Sequence, residues 1–373
     1  MTRRLPAFTI SAALLFVSAL FPSGALAAAP TLSAHVVQSG LVNPWDIAFA
    51  PTSQMFVTER PGRVRVYAGG GIGATLLATT TLPNVQSDGE AGVMGIAVDH
   101  DFNANRLVYI CVSRTVNGQW LNQLIRYKVT TDWHLEHDRT LIGLGMHANT
   151  FHDGCAVEEG PDHRIWLSMG DAGDAMAAQD PTALNGKILR ITRNGGVPAD
   201  NPIMPGTSQR SYVYSMGHRN PQGIAFQPGT GRVYAIEHGP DVNDEINWIR
   251  PGLNYGWPCV TGFGQAFMTC SGSPTFTDPV WASGGSTIAN SGGTFVTGAR
   301  WHGFAGQLFV SQLKESDLRR YTINPAGTTA TYQQTLYDNR WGRLRASVLG
   351  LRKRLFLTTS NGVDDKVIRI LPN

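Results

Sequence analysis

Short apolar runs rich in Val, Ile, Tyr and Phe recur along the chain, each bounded by Gly, Pro, Asp or Asn. Runs of that length and with those boundaries are β-strand signals. Beyond residue 27 no stretch holds helical periodicity for more than about two turns. One larger pattern repeats: a short apolar strand, a turn, a second β-rich strand, a polar loop, then a strand carrying Arg or Lys among apolar residues. It appears at 45–67 (WDIAFAPTSQMFVTERPGRVRVY), 94–129, 155–191, 222–249, 293–323 and 346–371. Six copies over roughly 345 residues give each slightly under about 60, the size of a four-stranded blade with a long loop. The prediction is an all-β fold, a six-bladed β-propeller of four-stranded antiparallel blades whose edges are protected by repetition around a channel. A pair of β-sandwiches is the structural alternative, but six copies do not divide naturally into two.

The fourth unit is the most informative. Its two strands, predicted at 223–226 and 232–237, flank the turn Pro228–Gly229–Thr230–Gly231. His218, Arg219 and Asn220 stand immediately before Pro221, which disfavours helix at Asn220. The strands are followed by Gly239–Pro240 and a loop dense in oxygen atoms, Asp241, Asn243, Asp244 and Glu245. An arginine at one entry and a carboxylate-rich loop at the exit suggest the mouth of a site. Alone, such an acidic cluster is more often a solvated loop.

The repeat register changes that balance, because a propeller brings equivalent loops of different blades to one rim. The segment 87–92 with Glu90 precedes the second unit, and His152–Asp153–Gly154 the third. Arg219–Asn220 precede the fourth, Asn290–Ser291–Gly292 the fifth, and Arg343–Leu344–Arg345 the sixth, while Lys314 follows the second strand of the fifth. One histidine, three arginines and a lysine are therefore expected around the channel. Such a cationic well suits an anion with several carboxylates, each of which Arg grips bidentately.

Composition narrows the class. With 42 Gly, 21 Pro and 15% charged residues in 373, the chain reads as turn-rich and folded. The net charge of +3 falls to +1 without Arg3 and Arg4, and no basic block remains to bind nucleic acid. Residues 1–27 have the parts of a signal peptide: the two arginines, an apolar run at 14–21 and the cleavage site Ala25–Leu26–Ala27. That run is too short to span a bilayer comfortably, and no later one is long enough, so no membrane insertion is expected. The expected product is a periplasmic or secreted protein, with 28–373 as a single propeller domain. The twin arginines leave a folded-export route open beside the general one. Four cysteines suit that compartment; Cys259 and Cys270 bracket a short loop, which would leave Cys111 with Cys155, though the sequence does not fix the pairing.

GHRNPQG, GPDVNDEIN and NYGWP, in this order and spacing, resemble the soluble quinoprotein sugar dehydrogenases, and the likeness runs from NPWDIAF (43–49) to VIRIL (367–371). The resemblance implies a six-bladed propeller that oxidises aldoses at the anomeric carbon to lactones. It implies the cofactor pyrroloquinoline quinone (PQQ), calcium, and a soluble or membrane electron acceptor, in a monomer or loose dimer. By motif, His152 is the expected general base, a task that suits imidazole, and Arg219 the stabiliser of charge on the quinone oxygen. Glu90, Asn220, Lys314, Arg343 and Arg345 are expected beside the cofactor. The carbonyls of Gly239 and Pro240 are expected on cofactor-bound calcium, and Glu245 with the carbonyl of Tyr255 on a second, structural calcium. Departures fall on the substrate side: Asp153–Gly154–Cys155–Ala156 replaces a Gly–Gly–Arg-like run, Phe151 stands where the glucose enzyme has an acid, Ala346 ends the usual Arg-x-Arg-Asp, and Asn290 replaces a proline. Glucose itself is therefore not assumed. Two rivals stand: an exported propeller binding glycans or proteins without catalysis, and a calcium-dependent propeller lactonase, which would want several carboxylates at the channel centre.

Overall fold

The computed structural model describes residues 1–2, 29–272 and 275–373. All but the first two residues of the expected signal segment lie outside the described residues. Six four-stranded antiparallel sheets account for the architecture. Their innermost strands are Pro44–Phe49, Val93–Val98, Gly154–Glu159, Pro221–Phe226, Asn290–Phe295 and Leu344–Leu349. Each abuts the next and the sixth abuts the first, so the sheets close into a six-bladed propeller. The repeat units locate all six blades. In the fourth, the inner strand begins at Pro221, two residues earlier than predicted, and the second is Val233–Glu237. A proline is tolerated at the first residue of a strand, where a ladder hydrogen bond is not required of it.

The ring is fastened by its own ends. Leu32–Leu41, the first strand among the described residues, is the outermost strand of the sixth blade and pairs antiparallel with Asp365–Pro372, Leu32 opposite Pro372 and Val36 opposite Ile368. The repeat pattern begins after this strand and did not assign it. Second strands such as Met55–Glu59 are buried along their whole length because blades pack on both their faces. Third strands alternate more: in Arg63–Tyr67, Val64 and Val66 are buried while Arg63 and Arg65 reach outward. The core lies between blades as separate wedges, for example Phe56, Val64, Ile96 and Ile110 between the first and second. Tyr234, Ile236, Phe295 and Val310 fill the wedge between the fourth and fifth.

Two features of the inner strands set up the site. The first is a register shift at the start of every one, between Pro44 and Ile47, Val93 and Ile96, Gly154 and Val157, Pro221 and Gly223, Asn290 and Gly293, and Leu344 and Ser347. Such bulges re-aim side chains, and here they do so six times at one end of the channel. The second is close approach: a Cβ at Gly95 would lie 2.4 Å from the Cys155 carbonyl oxygen, and one at Gly223 2.6 Å from that of Ser291. The disulfides are Cys111–Cys155, joining the second blade to the third, and Cys259–Cys270. Gly223→Ala should therefore force two inner strands apart and cost about 1–3 kcal/mol, read as a lower urea midpoint. An unchanged midpoint would mean the blades yield at this contact.

Candidate active site

The bulged ends of the inner strands gather around Glu90. Its Oε2 accepts hydrogen bonds from the His152 backbone N–H (2.9 Å), Asn220 Nδ2 (3.2 Å) and Gln222 Nε2 (3.2 Å). Gln222 passes the network on, its Oε1 accepting from Arg345 Nη1 at 2.7 Å. Asn220 is fully buried, and its Oδ1 accepts from Gly154 N at 3.1 Å. Burial raises the Glu90 carboxyl, but His238, Arg345 and His152 and the Asn220 hydrogen bond outweigh it and hold it below its ordinary value. Burial likewise lowers Arg345 to about 10, against the pull of Glu90.

His152 stands at the mouth of this cluster in the left-handed region, φ +61°. Its carbonyl is so near Gly170 that a Cβ there would lie 1.9 Å away. Nδ1 of the ring lies 2.7 Å from Asp171 Oδ1. A carboxylate accepts from Nδ1, which leaves Nε2 as the ring nitrogen without a partner among the described residues. Asp171 is fixed in turn: Oδ1 accepts from Gly173 N and Oδ2 from Trp257 Nε1, each at 2.8 Å. Arg219 lies against the Trp257 ring, 5.3 Å from its centroid, and donates to the Gly239 carbonyl at 2.7 Å. Its backbone N–H donates to Glu237 Oε1.

Of the residues singled out in the sequence, Glu90, His152, Asn220 and Arg345 meet in this one network, with Arg219 at its edge. Arg343 and Lys314 are exposed, and their side chains have no hydrogen-bond partner among the described residues. Arg343 does lie near enough to add to the lowering of Arg345, as does Arg60. Asp171, Trp257, Gln222, His238 and Arg60 went unremarked. Gln222, His238 and Trp257 lie inside or beside the quoted motifs, and Asp171 follows the second strand of its blade, but nothing in the sequence indicates what Asp171 faces.

Gly239, Pro240, Glu245 and Tyr255 line one small cavity of about 10 Å³ with Arg219, Glu237 and Trp257, room for roughly one water molecule. Glu245 accepts from Gly262 N (2.6 Å) and Asn247 Nδ2 (2.9 Å). Burial and the neighbouring Glu237 push its carboxyl up to about 8. The Tyr255 hydroxyl donates to the Trp248 carbonyl, away from Glu245. Among the described residues no three His, Cys, Asp or Glu side chains are gathered to hold a metal ion, so a cation in this cavity would depend on carbonyl oxygens.

The Glucose / Sorbosone dehydrogenase family model matches residues 41–369. This chain belongs to that family. It is 32% identical to quinoprotein glucose dehydrogenase B of Acinetobacter calcoaceticus over 75% of this chain and 63% of that protein. The apo soluble aldose sugar dehydrogenase of Escherichia coli superposes with TM-score 0.83 at 27% identity, covering 92% of this chain and all of that one. The PQQ-bound aldose sugar dehydrogenase of Streptomyces coelicolor gives TM-score 0.76 at 29% identity, covering 93% and 100%. Within this glucose/sorbosone dehydrogenase family member, the six-unit reading and the motif stretch of the fourth blade agree with the matched fold.

One neighbour of His152 gives a pH test. Asp153 is fully buried; Oδ1 accepts from Asn122 Nδ2 (2.9 Å) and Asn149 N (3.1 Å), and Oδ2 has no partner. Burial pushes this carboxyl up to about 8. The folded protein then holds a proton that the unfolded chain releases near about pH 4, so the contribution is full below that pH and is lost as pH rises towards 8. Asp153→Asn should make the fall in urea midpoint from pH 5 to 8 shallower. The same slope in both proteins would mean that Asp153 is ionised in the fold.

Proposed function

We propose that this chain is an exported, PQQ- and calcium-dependent dehydrogenase that oxidises aldose sugars at the anomeric carbon to lactones and passes the electrons to an external acceptor. The observation that carries the reading is the orientation of His152. Asp171 takes the Nδ1 hydrogen, and Nε2 has no partner among the described residues in a side chain 17% exposed. That is the arrangement of a general base open to a substrate hydroxyl. Removing that proton leaves an imidazolium, which the Asp171 carboxylate stabilises without moving, since Trp257 and Gly173 hold it.

The residues present fit the cofactor. Arg60 Nε, Arg219 Nε and His238 Nε2 are buried without partners, and the cationic ends of Arg343 and Lys314 are exposed. Orphaned donors, with Arg343 near Arg60 and Arg345, suit a planar anion with several carboxylates. Lys314, Arg343 and Arg345 would hold carboxylates, Glu90 and Asn220 would border the ring, and Arg219 would face a quinone oxygen. When bound, the quinone supplies the two-electron oxidant. Calcium fits the cavity beneath Arg219: Glu237 and Glu245 repel one another there, and Asn247 Oδ1 is buried unpartnered beside them. The carbonyls of Gly239 and Pro240 would hold a calcium bound with the cofactor, and Glu245 with the Tyr255 carbonyl a second, structural one.

The chain is proposed to work as one propeller domain, residues 28–373, in the periplasm or outside the cell, a setting that suits two disulfides. The test is reconstitution: mature protein, PQQ and Ca²⁺, with dye reduction followed across a panel of aldoses. Quinone-dependent reduction is expected, and absence of quinone binding would overturn the reading. His152→Ala should lower turnover about 10²–10⁴-fold while quinone binding stays near wild type; wild-type turnover would remove His152 as the base. Arg343→Ala should weaken quinone binding, and unchanged binding would take it out of the anion site.

A further inference from the structure

At the end of the third inner strand farthest from His152 lies a second group of chemically capable side chains. Gly154–Glu159 ends in Glu159, whose side chain is only 8% exposed. Its Oε2 accepts from the His100 backbone N–H at 2.6 Å, while its Oε1 is buried with no hydrogen-bond partner. That orphaned oxygen points towards His163, 3.6 Å from Nδ1. The exposed ring of His100, from the second blade, lies over the ring of His163, from the third, with centroids 4.2 Å apart. Neither imidazole has a hydrogen-bond partner among the described residues.

Physical chemistry gives this trio a use. Two donors on one tetrahedral zinc at about 2.0–2.1 Å lie roughly 3.3 Å apart, close to the separation of Glu159 Oε1 and His163 Nδ1. Imidazole suits borderline ions such as Zn²⁺, Cu²⁺ and Ni²⁺ over calcium. The surroundings favour a cation, with Asp99 and Asp101 beside the trio and Arg193 their only guanidinium partner among the described residues, at 3.0 and 2.7 Å. His163 also occupies a left-handed turn position, φ +55°, where glycine would be free of strain. The three donors are not gathered on one point, but both imidazole rings are exposed, and exposed side chains change rotamer within picoseconds to nanoseconds.

We propose that His100, His163 and Glu159 form a binding site for a borderline divalent transition cation, clamping the second blade to the third on the side opposite the dehydrogenase site. The site is independent of the quinone, so it can be tested without sugar or acceptor.

The probe is Zn²⁺ alone, titrated calorimetrically into untagged, chelator-treated mature protein near neutral pH. One equivalent is expected to bind saturably, with affinity falling more than about tenfold near pH 5.5 as the imidazoles protonate. His163→Gly suits its backbone and should keep the fold while weakening binding about tenfold or more. His100→Ala, at an exposed ring, should do the same. Binding that survives both substitutions would place the ion elsewhere, at His152–Asp171 for example, and overturn the proposal, as would absence of saturable binding to the wild-type chain.

Discussion

The site depends on the closure of the ring. Leu32–Leu41 completes a sheet whose other strands come from the C-terminal end of the chain, so one set of ladder hydrogen bonds fixes the angle of all six blades. The contacts around Glu90 need that angle, joining residues 62, 130 and 132 positions apart, with Gln222 to Arg345 spanning 123. No local segment could form them. The entropy of bringing such distant groups together is met by sheet pairing and by the apolar wedges between blades. The site adds few apolar contacts of its own and inherits its geometry from the ring.

Within the ring, the six bulges convert a regular scaffold into a polar cluster. A regular inner strand alternates between its neighbours, whereas a bulge inserts an unpaired residue and turns its side chain. Gln222 and Arg345 both lie within such register shifts, and they meet across the channel. The backbone is forced at the same place: His152 and Cys155 are both left-handed, at φ +61° and +67°. Each such residue costs on the order of 1–3 kcal/mol. Glu90 on the His152 N–H, Asn220 on the Gly154 N–H and the crosslink of Cys155 to Cys111 hold the segment from the second and fourth blades.

The blades were legible in the sequence because each is a local unit with its own turns and apolar runs. The closing strand was not, because Leu32–Leu41 has its partner at the far end of the chain and no turn to announce it. The same distinction runs through the site. Residues just before inner strands or at their start, such as His152, Arg219 and Arg345, share a phase of the repeat and could be picked out together. Asp171 and Trp257 could not, since their partnership joins a loop of the third blade to one within the fourth, before its outermost strand, 86 residues away. Lys314 and Arg343 were recognisable as cations in the right register, but their exposure and lack of side-chain partners are properties of the folded surface.

Charge explains why the exposed and buried cations differ. Glu90 already offsets Arg345, and burial lowers both Arg345 and Arg219 from their ordinary values. A buried guanidinium is expensive unless paired, so Arg345 spends much of its bonding capacity on Gln222 and its Coulombic attraction on Glu90. Arg343 and Lys314 are exposed and their side chains have no hydrogen-bond partner among the described residues, so on the proposed function the anionic cofactor need break no internal ion pair to reach them. On the proposed function, recognition of the anion and rigidity of the base would rest on different residues, the first on exposed cations and the second on the fixed chain from Glu90 and Asp171 to His152. The exposed Phe151, packed 4.8 Å from the His152 ring, belongs to neither and sits on a loop. Sequence can vary there without disturbing the ring, the bulges or the base, which is where discrimination between sugars would be expected to evolve.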